Sequence, residues 1–200
     1  MAASPTALLI LAGPSGVGKS TLCDRLVQEV PGFERVVTAT TRPPRPNEVH
    51  GRDYHFIPVD EFVRRRDAGE FLETAKVHSG GYYGTLKSAV LARLPQTNLV
   101  MNIDVQGVRS IRAAAQTEPR LRGRVFTMFV APDSVEVLRQ RIEGRGALPP
   151  EELARRLQSA EHEIAERNSY DYVIHSSSKE QDFRALVDYW AQAQRKLSQG

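Results

Sequence analysis

The chain has 200 residues, 40% hydrophobic and 26% charged, with a formal net charge of +3 and one cysteine, Cys23. These values describe one globular α/β domain and exclude a disulfide-stapled secreted fold and a disordered chain. The apolar run near the N-terminus is too short for a membrane span and lacks the basic flank of a signal peptide. The expectation is a cytoplasmic protein with no membrane partner.

Ala7–Ala12 is unbroken apolar sequence and predicts a buried strand over Leu8–Leu11. GPSGVGKST follows directly, from Gly13 to Thr21, and fits the phosphate-loop pattern GxxxxGK[ST] at Gly13, Gly18, Lys19 and Ser20. Glycines let successive backbone N–H groups turn inward onto phosphate oxygens, and the helix that opens at the lysine adds its positive end. Gly13, Pro14, Ser15, Gly16, Val17, Gly18, Lys19, Ser20 and Thr21 are therefore the expected cradle of a nucleoside triphosphate. Lys19 would reach the terminal phosphates and the Ser20 hydroxyl would sit on Mg²⁺. The helix Lys19–Glu29 carries Cys23, read as a packing residue.

A second strand is expected at Arg35–Thr38. Thr40 to about Leu94 then breaks the rhythm with short, polar and aromatic elements, which reads as an inserted lobe. Beyond it, strands are expected at Leu99–Ile103, Arg124–Val130 and Tyr172–Ile174. Helices are expected at Val105–Ala115, Ser134–Ile142, Pro150–Arg167 and Lys179–Leu197. Strands alternating with helices predict a parallel sheet covered on both faces. In the last helix Phe183, Leu186, Val187 and Trp190 form a core stripe. Gly144–Glu152, with two glycines and two prolines, reads as a mobile flap.

Within the inserted lobe, Arg42 and Arg45 stand three apart in the proline-stiffened run TTRPPRP; they can be a solvated basic loop or a phosphate site, since guanidinium forks bind phosphate bidentately. Tyr54 adds a phenol on a short strand. Glu73, in the run FLE, is a carboxylate in partly apolar surroundings; it can be a surface charge or the acceptor for two adjacent N–H donors, as guanine offers. Ten arginines lie between Arg109 and Arg156 against six acids. They lack the aromatic interleaving used to stack bases, so phosphates of a small substrate are expected rather than nucleic acid.

These motifs, in this order, resemble the guanylate kinases over about Ala7 to Lys196. The matching runs are GPSGVGKST, TTRPPRPNEVHGRDYHF, FLE followed by YYGT, NIDVQG and LRQRIEGRG. The resemblance implies a P-loop kinase over residues 5–198: a core of 5–38 and 95–198 with a central parallel sheet flanked by helices, a GMP-binding lobe at about 39–94, and a mobile lid at about 141–157. It implies phosphoryl transfer from ATP, with Mg²⁺, to GMP or dGMP. By resemblance, Arg42, Arg45, Tyr54 and Tyr83 hold the GMP phosphate. Glu73 and Thr85 read the guanine edge, with Thr38 and Asp104 close by. Lys19 and Arg42 join Arg141, Arg145 and Arg156 around the transferring phosphoryl group. The chain departs from the family at Asn102, usually an acid paired with Asp104, and at Ser176, where an Asn often meets adenine. Two rivals share this outline. A sugar-phosphate kinase would not need Glu73 together with YYGT, and a non-catalytic binding module tends to lose the loop glycines and lysine.

Overall fold

In the computed structural model, residues 5–76, 81–144 and 149–199 are described. Strand β1 (Leu8–Ala12) has every residue buried, as an unbroken apolar run in a parallel sheet requires. Glycine then turns the chain into α1 (Lys19–Glu29). Strand β2 (Phe33–Arg35) leads to a short β3 (Ala39–Thr40) and β4 (His55–Phe56). Helix α2 (Val59–Asp67), strands β5 (Phe71–Lys76) and β6 (Tyr82–Leu86) and helix α3 (Lys87–Leu91) follow. The remaining chain alternates: β7 (Asn98–Asn102), α4 (Val105–Thr117), β8 (Val125–Ala131), α5 (Val135–Glu143), α6 (Pro150–Ala165), β9 (Tyr172–His175) and α7 (Lys179–Leu197).

Five strands form an all-parallel sheet in the order β2-β7-β1-β8-β9. Alternate residues of β1 serve opposite faces, as the two-residue period of a strand demands. Leu9 and Leu11 meet Leu22 and Leu26 of α1 and Leu186 and Trp190 of α7. Leu8 and Ile10 meet Val108 and Ile111 of α4 with Val90 and Leu91 of α3. Cys23 is fully buried in the first of these cores, and burial pushes its thiol up to about 12, so it is a packing residue. Trp190 sets its ring edge-on to Phe33, with centroids 4.7 Å apart. No helix among the described residues is long and apolar enough to cross a membrane.

The strand expected at Arg35–Thr38 is displaced. Val36 donates to Val100 O at 2.9 Å, and the chain then leaves the main sheet for a second one. That sheet has the order β4-β3-β6-β5, with β6 antiparallel to both its neighbours. The expected strand straddled the crossover, because Val36 and Val37 look like strand on either side of it. The expected helix at Ser134 starts one residue later: Ser134 is its cap, accepting from Val137 N at 3.1 Å. The expected flap falls between α5 and α6, where residues 145–148 lie outside the described set.

The second sheet has its own small core. Phe62 of α2 is fully buried between the rings of Phe71, 4.6 Å away, and Tyr82, 5.3 Å away. Phe62→Ala should destabilise the protein by about 3–5 kcal/mol, as truncation of a buried aromatic does. Urea denaturation followed by tryptophan fluorescence and by far-UV circular dichroism measures it.

Candidate active site

Strands β7 and β8 flank β1, so the chain crosses from one side of β1 to the other at its carboxyl end. Such a switch point leaves a crevice beyond the strand ends. The glycine loop occupies it. Gly13 has φ +132°, and a Cβ there would lie 2.3 Å from Val130 O, so only glycine lets the loop lie against β8. Lys19 folds its amine back on the loop, donating to Gly13 O at 2.5 Å and Pro14 O at 2.9 Å. Gly13, Ser15, Gly16, Gly18, Lys19, Ser20 and Thr21 line one end of a cleft of about 530 Å³. Pro14 and Val17 do not. Pro14 has no N–H to offer and uses its carbonyl on Lys19, while Val17 is buried in the core beneath the loop.

The opposite end of the cleft belongs to the second sheet. Thr38, Arg42, Arg45, Tyr54, Glu73 and Tyr83 all reach it, with Asp104 from the end of β7. Arg42 donates through Nε to Tyr83 Oη at 2.9 Å and lies over the Tyr54 ring, 5.0 Å from its centroid. Its two terminal nitrogens each meet one oxygen of Glu48 at 2.6 Å. This bidentate bond, with a backbone bond from Arg45, holds the Glu48 carboxyl well down, at about 2. Thr85 does not line the cleft. It is fully buried and donates to Glu73 Oε1 at 2.6 Å, so it works through Glu73.

Glu73 is placed by an irregularity. The β5–β6 register slips between Phe71 and Glu73, so two residues of β5 oppose one step of β6. Phe71 therefore turns into the lobe's core, Leu72 into the main core, and Glu73 faces Thr85. Gly107 of α4 leaves room for the carboxylate: a Cβ there would sit 3.3 Å from Glu73 Oε2. Burial, with Asp104 adding its charge against the Thr85 hydrogen bond, raises the Glu73 carboxyl to about 7. Asp104 caps α4, accepting from Gly107 N at 2.7 Å.

The arginines beyond β8 are arranged differently. Arg141 of α5 runs past the loop, its Cβ 3.8 Å from where a Gly16 Cβ would be, without lining the cleft. Arg156 of α6 donates to Glu152 at 2.9 Å and does not line it either. Arg145 lies outside the described residues. Ser176 is buried and donates to Asp182 at 2.7 Å, away from the cleft.

Other cleft residues escaped sequence reading. Glu48 was hidden among turn residues, although its three-residue spacing from Arg45 was visible. Arg35 pairs with Asp24 and donates to Asn102 at 3.0 Å, so the amide at that departure is an acceptor for a cation. Glu163 of α6 reaches the cleft about two turns beyond Arg156 on the same helix; burial raises its carboxyl, while Lys19 lowers it.

A parallel sheet with a phosphate loop at its switch point, facing a second lobe across one cleft, defines a P-loop kinase. The model of the family described as guanylate kinase matches residues 5–193. A guanylate kinase of Symbiobacterium thermophilum is 45% identical over 84% of this chain and 76% of its own length. One of Geobacter sulfurreducens is 41% identical over 84% and 79%. A crystal structure of guanylate kinase from Anaplasma phagocytophilum has a TM-score of 0.75 at 27% identity, covering 96% of this chain and 88% of that one. The chain belongs to the guanylate kinase family.

The Glu73 shift has a consequence for stability. In the unfolded chain a glutamate titrates near 4.5, and in the fold this one titrates near 7. The folded state therefore binds the proton more tightly, and stability from this group falls as pH rises from about 4.5 to about 7. Glu73→Gln should remove that dependence. At pH 8 the variant should be more stable than the parent by on the order of 1–3 kcal/mol, and the difference should vanish near pH 4. Denaturant midpoints at the two pH values measure it.

Proposed function

We propose that the guanylate kinase activity of this chain, transfer of the γ-phosphoryl group of ATP to GMP giving ADP and GDP, runs across the cleft from the Lys19 loop to the Arg42–Glu73 lobe. The observation that carries this reading is the coexistence in one cleft of a phosphate loop, a guanidinium pair and a buried, Thr85-oriented carboxylate. ATP phosphates lie on the loop amides, where Lys19 exchanges its carbonyl partners for phosphate oxygens. The GMP phosphate lies on Arg42, Arg45, Tyr54 and Tyr83. Guanine presents N1–H and the exocyclic amine to Glu73 as neighbouring donors, with Thr38 and Asp104 at the same end.

Phosphoryl transfer asks for in-line placement and for neutralised charge on the moving oxygens, and little covalent chemistry from the protein. Lys19 and Arg42 bring cations from opposite ends of the cleft. Arg141 and Arg156 join them only if α5 and α6 swing towards the cleft, so closure belongs to this proposal. The residues also suit Mg²⁺. No three His, Cys, Asp or Glu side chains cluster to hold a metal among the described residues. Mg²⁺ instead takes one or two protein oxygens with substrate phosphates and water. The Ser20 hydroxyl would hold it; Asp24 and Asp104 also line the cleft. When bound, the ion would neutralise phosphate charge.

The sugar-phosphate kinase reading leaves a buried carboxylate near pKa 7 with nothing to read. The binding-module reading leaves an intact phosphate loop unused.

Lys19→Ala should lower kcat by a factor on the order of 10²–10⁴ with little change in thermal melting, because the amine donates to loop carbonyls at the cleft. Coupled ADP-release kinetics with parallel melting curves measure this. In the same assay the GMP-to-AMP ratio of specificity constants should fall by a factor on the order of 10² or more in Glu73→Gln. Adenine offers an acceptor at N1, so it meets the ionised parent carboxylate lone pair to lone pair. An unchanged ratio would remove Glu73 from base reading.

A further inference from the structure

Arg42 is the proposed phosphate ligand, yet most of its donors are already committed. A guanidinium has five N–H groups. Nε donates to Tyr83 Oη, Nη1 to Glu48 Oε2 and to Pro43 O, and Nη2 to Glu48 Oε1. One N–H, on Nη2, has no hydrogen-bond partner among the described residues. The fork edge of the guanidinium, which would clasp a phosphate bidentately, is filled by a carboxylate.

Two readings follow. Glu48 could stand in for the phosphate and leave when GMP arrives, or it could stay and fix Arg42. The geometry favours the second. Glu48 also accepts from Arg45 N at 2.8 Å, and its own N–H donates to Arg45 O at 3.1 Å. Three donors thus converge on one half-buried carboxylate, within a turn that closes on itself. Expelling it would strand the Arg45 N–H and set a carboxylate loose beside an incoming dianion. The Arg42 plane is held from a further side by the Tyr54 ring.

Resting on the reading that this lobe holds the GMP phosphate, we infer that Glu48 is a positioning residue: its carboxylate remains on the Arg42 fork while GMP is bound and aims Arg42 and Tyr83 at the phosphate. Three consequences follow from the donor count. Arg42 offers the phosphate a single N–H. The Tyr83 oxygen accepts from Arg42 Nε, so its hydroxyl proton is turned outward as a second donor. Arg45, whose guanidinium makes no hydrogen bond or ion pair among the described residues, supplies the bidentate fork. Glu48 also cancels one positive charge beside the phosphate, so the acceptor site binds by aligned donors more than by bulk charge.

The test uses the full chain and four variants: Glu48→Gln, Glu48→Asp, Arg42→Met and the double variant Arg42→Met with Glu48→Gln. KM is measured separately for GMP and ATP, and guanosine, which lacks the phosphate, is used as a competitive inhibitor. Glu48→Gln should raise KM for GMP about tenfold, because misaligned donors lose most of a charged hydrogen-bond set. KM for ATP and the inhibition constant of guanosine should stay within about twofold. Glu48→Asp, which keeps the charge but withdraws it by one methylene, should fall between. The double variant should be no worse for GMP than Arg42→Met alone, since Glu48 acts through Arg42. An unchanged or lower KM for GMP in Glu48→Gln, with Arg42→Met impaired, would overturn the inference and make the carboxylate a competitor for the fork. Equal losses for guanosine and GMP, or full additivity in the double variant, would also overturn it by reducing Glu48 to a support of the loop. If Arg42→Met itself leaves KM for GMP unchanged, the phosphate assignment fails first, and the inference fails with it.

Discussion

Cations that face an anion-shaped hollow repel one another, and this chain must fold while the hollow is empty. Three of the four cations that line the cleft meet this with an acceptor of their own; the Arg45 guanidinium has none among the described residues. Lys19 turns to the carbonyls of Gly13 and Pro14, Arg35 to Asp24 and Asn102, and Arg42 to Glu48. These acceptors differ in how readily they let go. A carbonyl interacts by dipole and is cheaply rehydrated, so Lys19 can exchange it for a phosphate. A carboxylate in a two-point bond is charged and geometrically matched, so the Arg42 partnership is the harder to break. On the proposed reading the loop end of the cleft changes partners and the lobe end holds still.

The cleft also has an acidic pole. Glu73, Asp104 and Glu163 reach it from β5, the end of β7 and α6. The Asp104 charge adds to burial in raising both the Glu73 carboxyl, to about 7, and the Glu163 carboxyl. A ligand with N–H donors at one end and a phosphate at the other meets opposite fields at the two ends. Strand β6 carries a contact to each pole: Tyr83 beside Arg42 and Thr85 beside Glu73. Two residues apart on one face of a strand, they are separated by about 7 Å. Orientation of the acceptor is thus written into the pitch of a single strand.

Much of the core was legible in the sequence because it obeys one period. Leu8–Leu11, Leu99–Met101 and the stripe from Phe183 to Trp190 read directly as buried strand or helix. The inserted lobe was legible only as an interruption, since two-residue strands such as Ala39–Thr40 and His55–Phe56 are too short to show a period. Arg42, Arg45, Tyr54, Glu73 and Tyr83 were found by residue type and motif, and all line the cleft. Glu48 and Glu163 were not, because a glutamate in a turn or on an amphipathic helix looks like solvated charge until its partner is in place. Arg141 and Arg145, four apart, had the right spacing for a shared face, yet spacing along a helix does not say how far that helix stands from the cleft, and Arg141 does not line it.

The β5–β6 slip shows why the two lobes work as one. In a regular strand Phe71 and Glu73 would share a face, and a carboxylate would be driven into the Phe62 cluster or the ring out of it. The extra residue separates them. It gives Phe71 to the lobe's own core, sends Leu72 across to pack with Val105 and Val108 under α4, and leaves Glu73 between Thr85 and the space over Gly107. The carboxylate proposed to read the base is thereby anchored to both cores within three consecutive residues. Its environment depends on α4 as much as on β6, which is why Asp104, at the cap of α4, can act on its charge. A shift of the lobe against the main sheet would change the proton affinity of Glu73 and its aim together, so the proposed base reading and the relation between the lobes are one mechanical property.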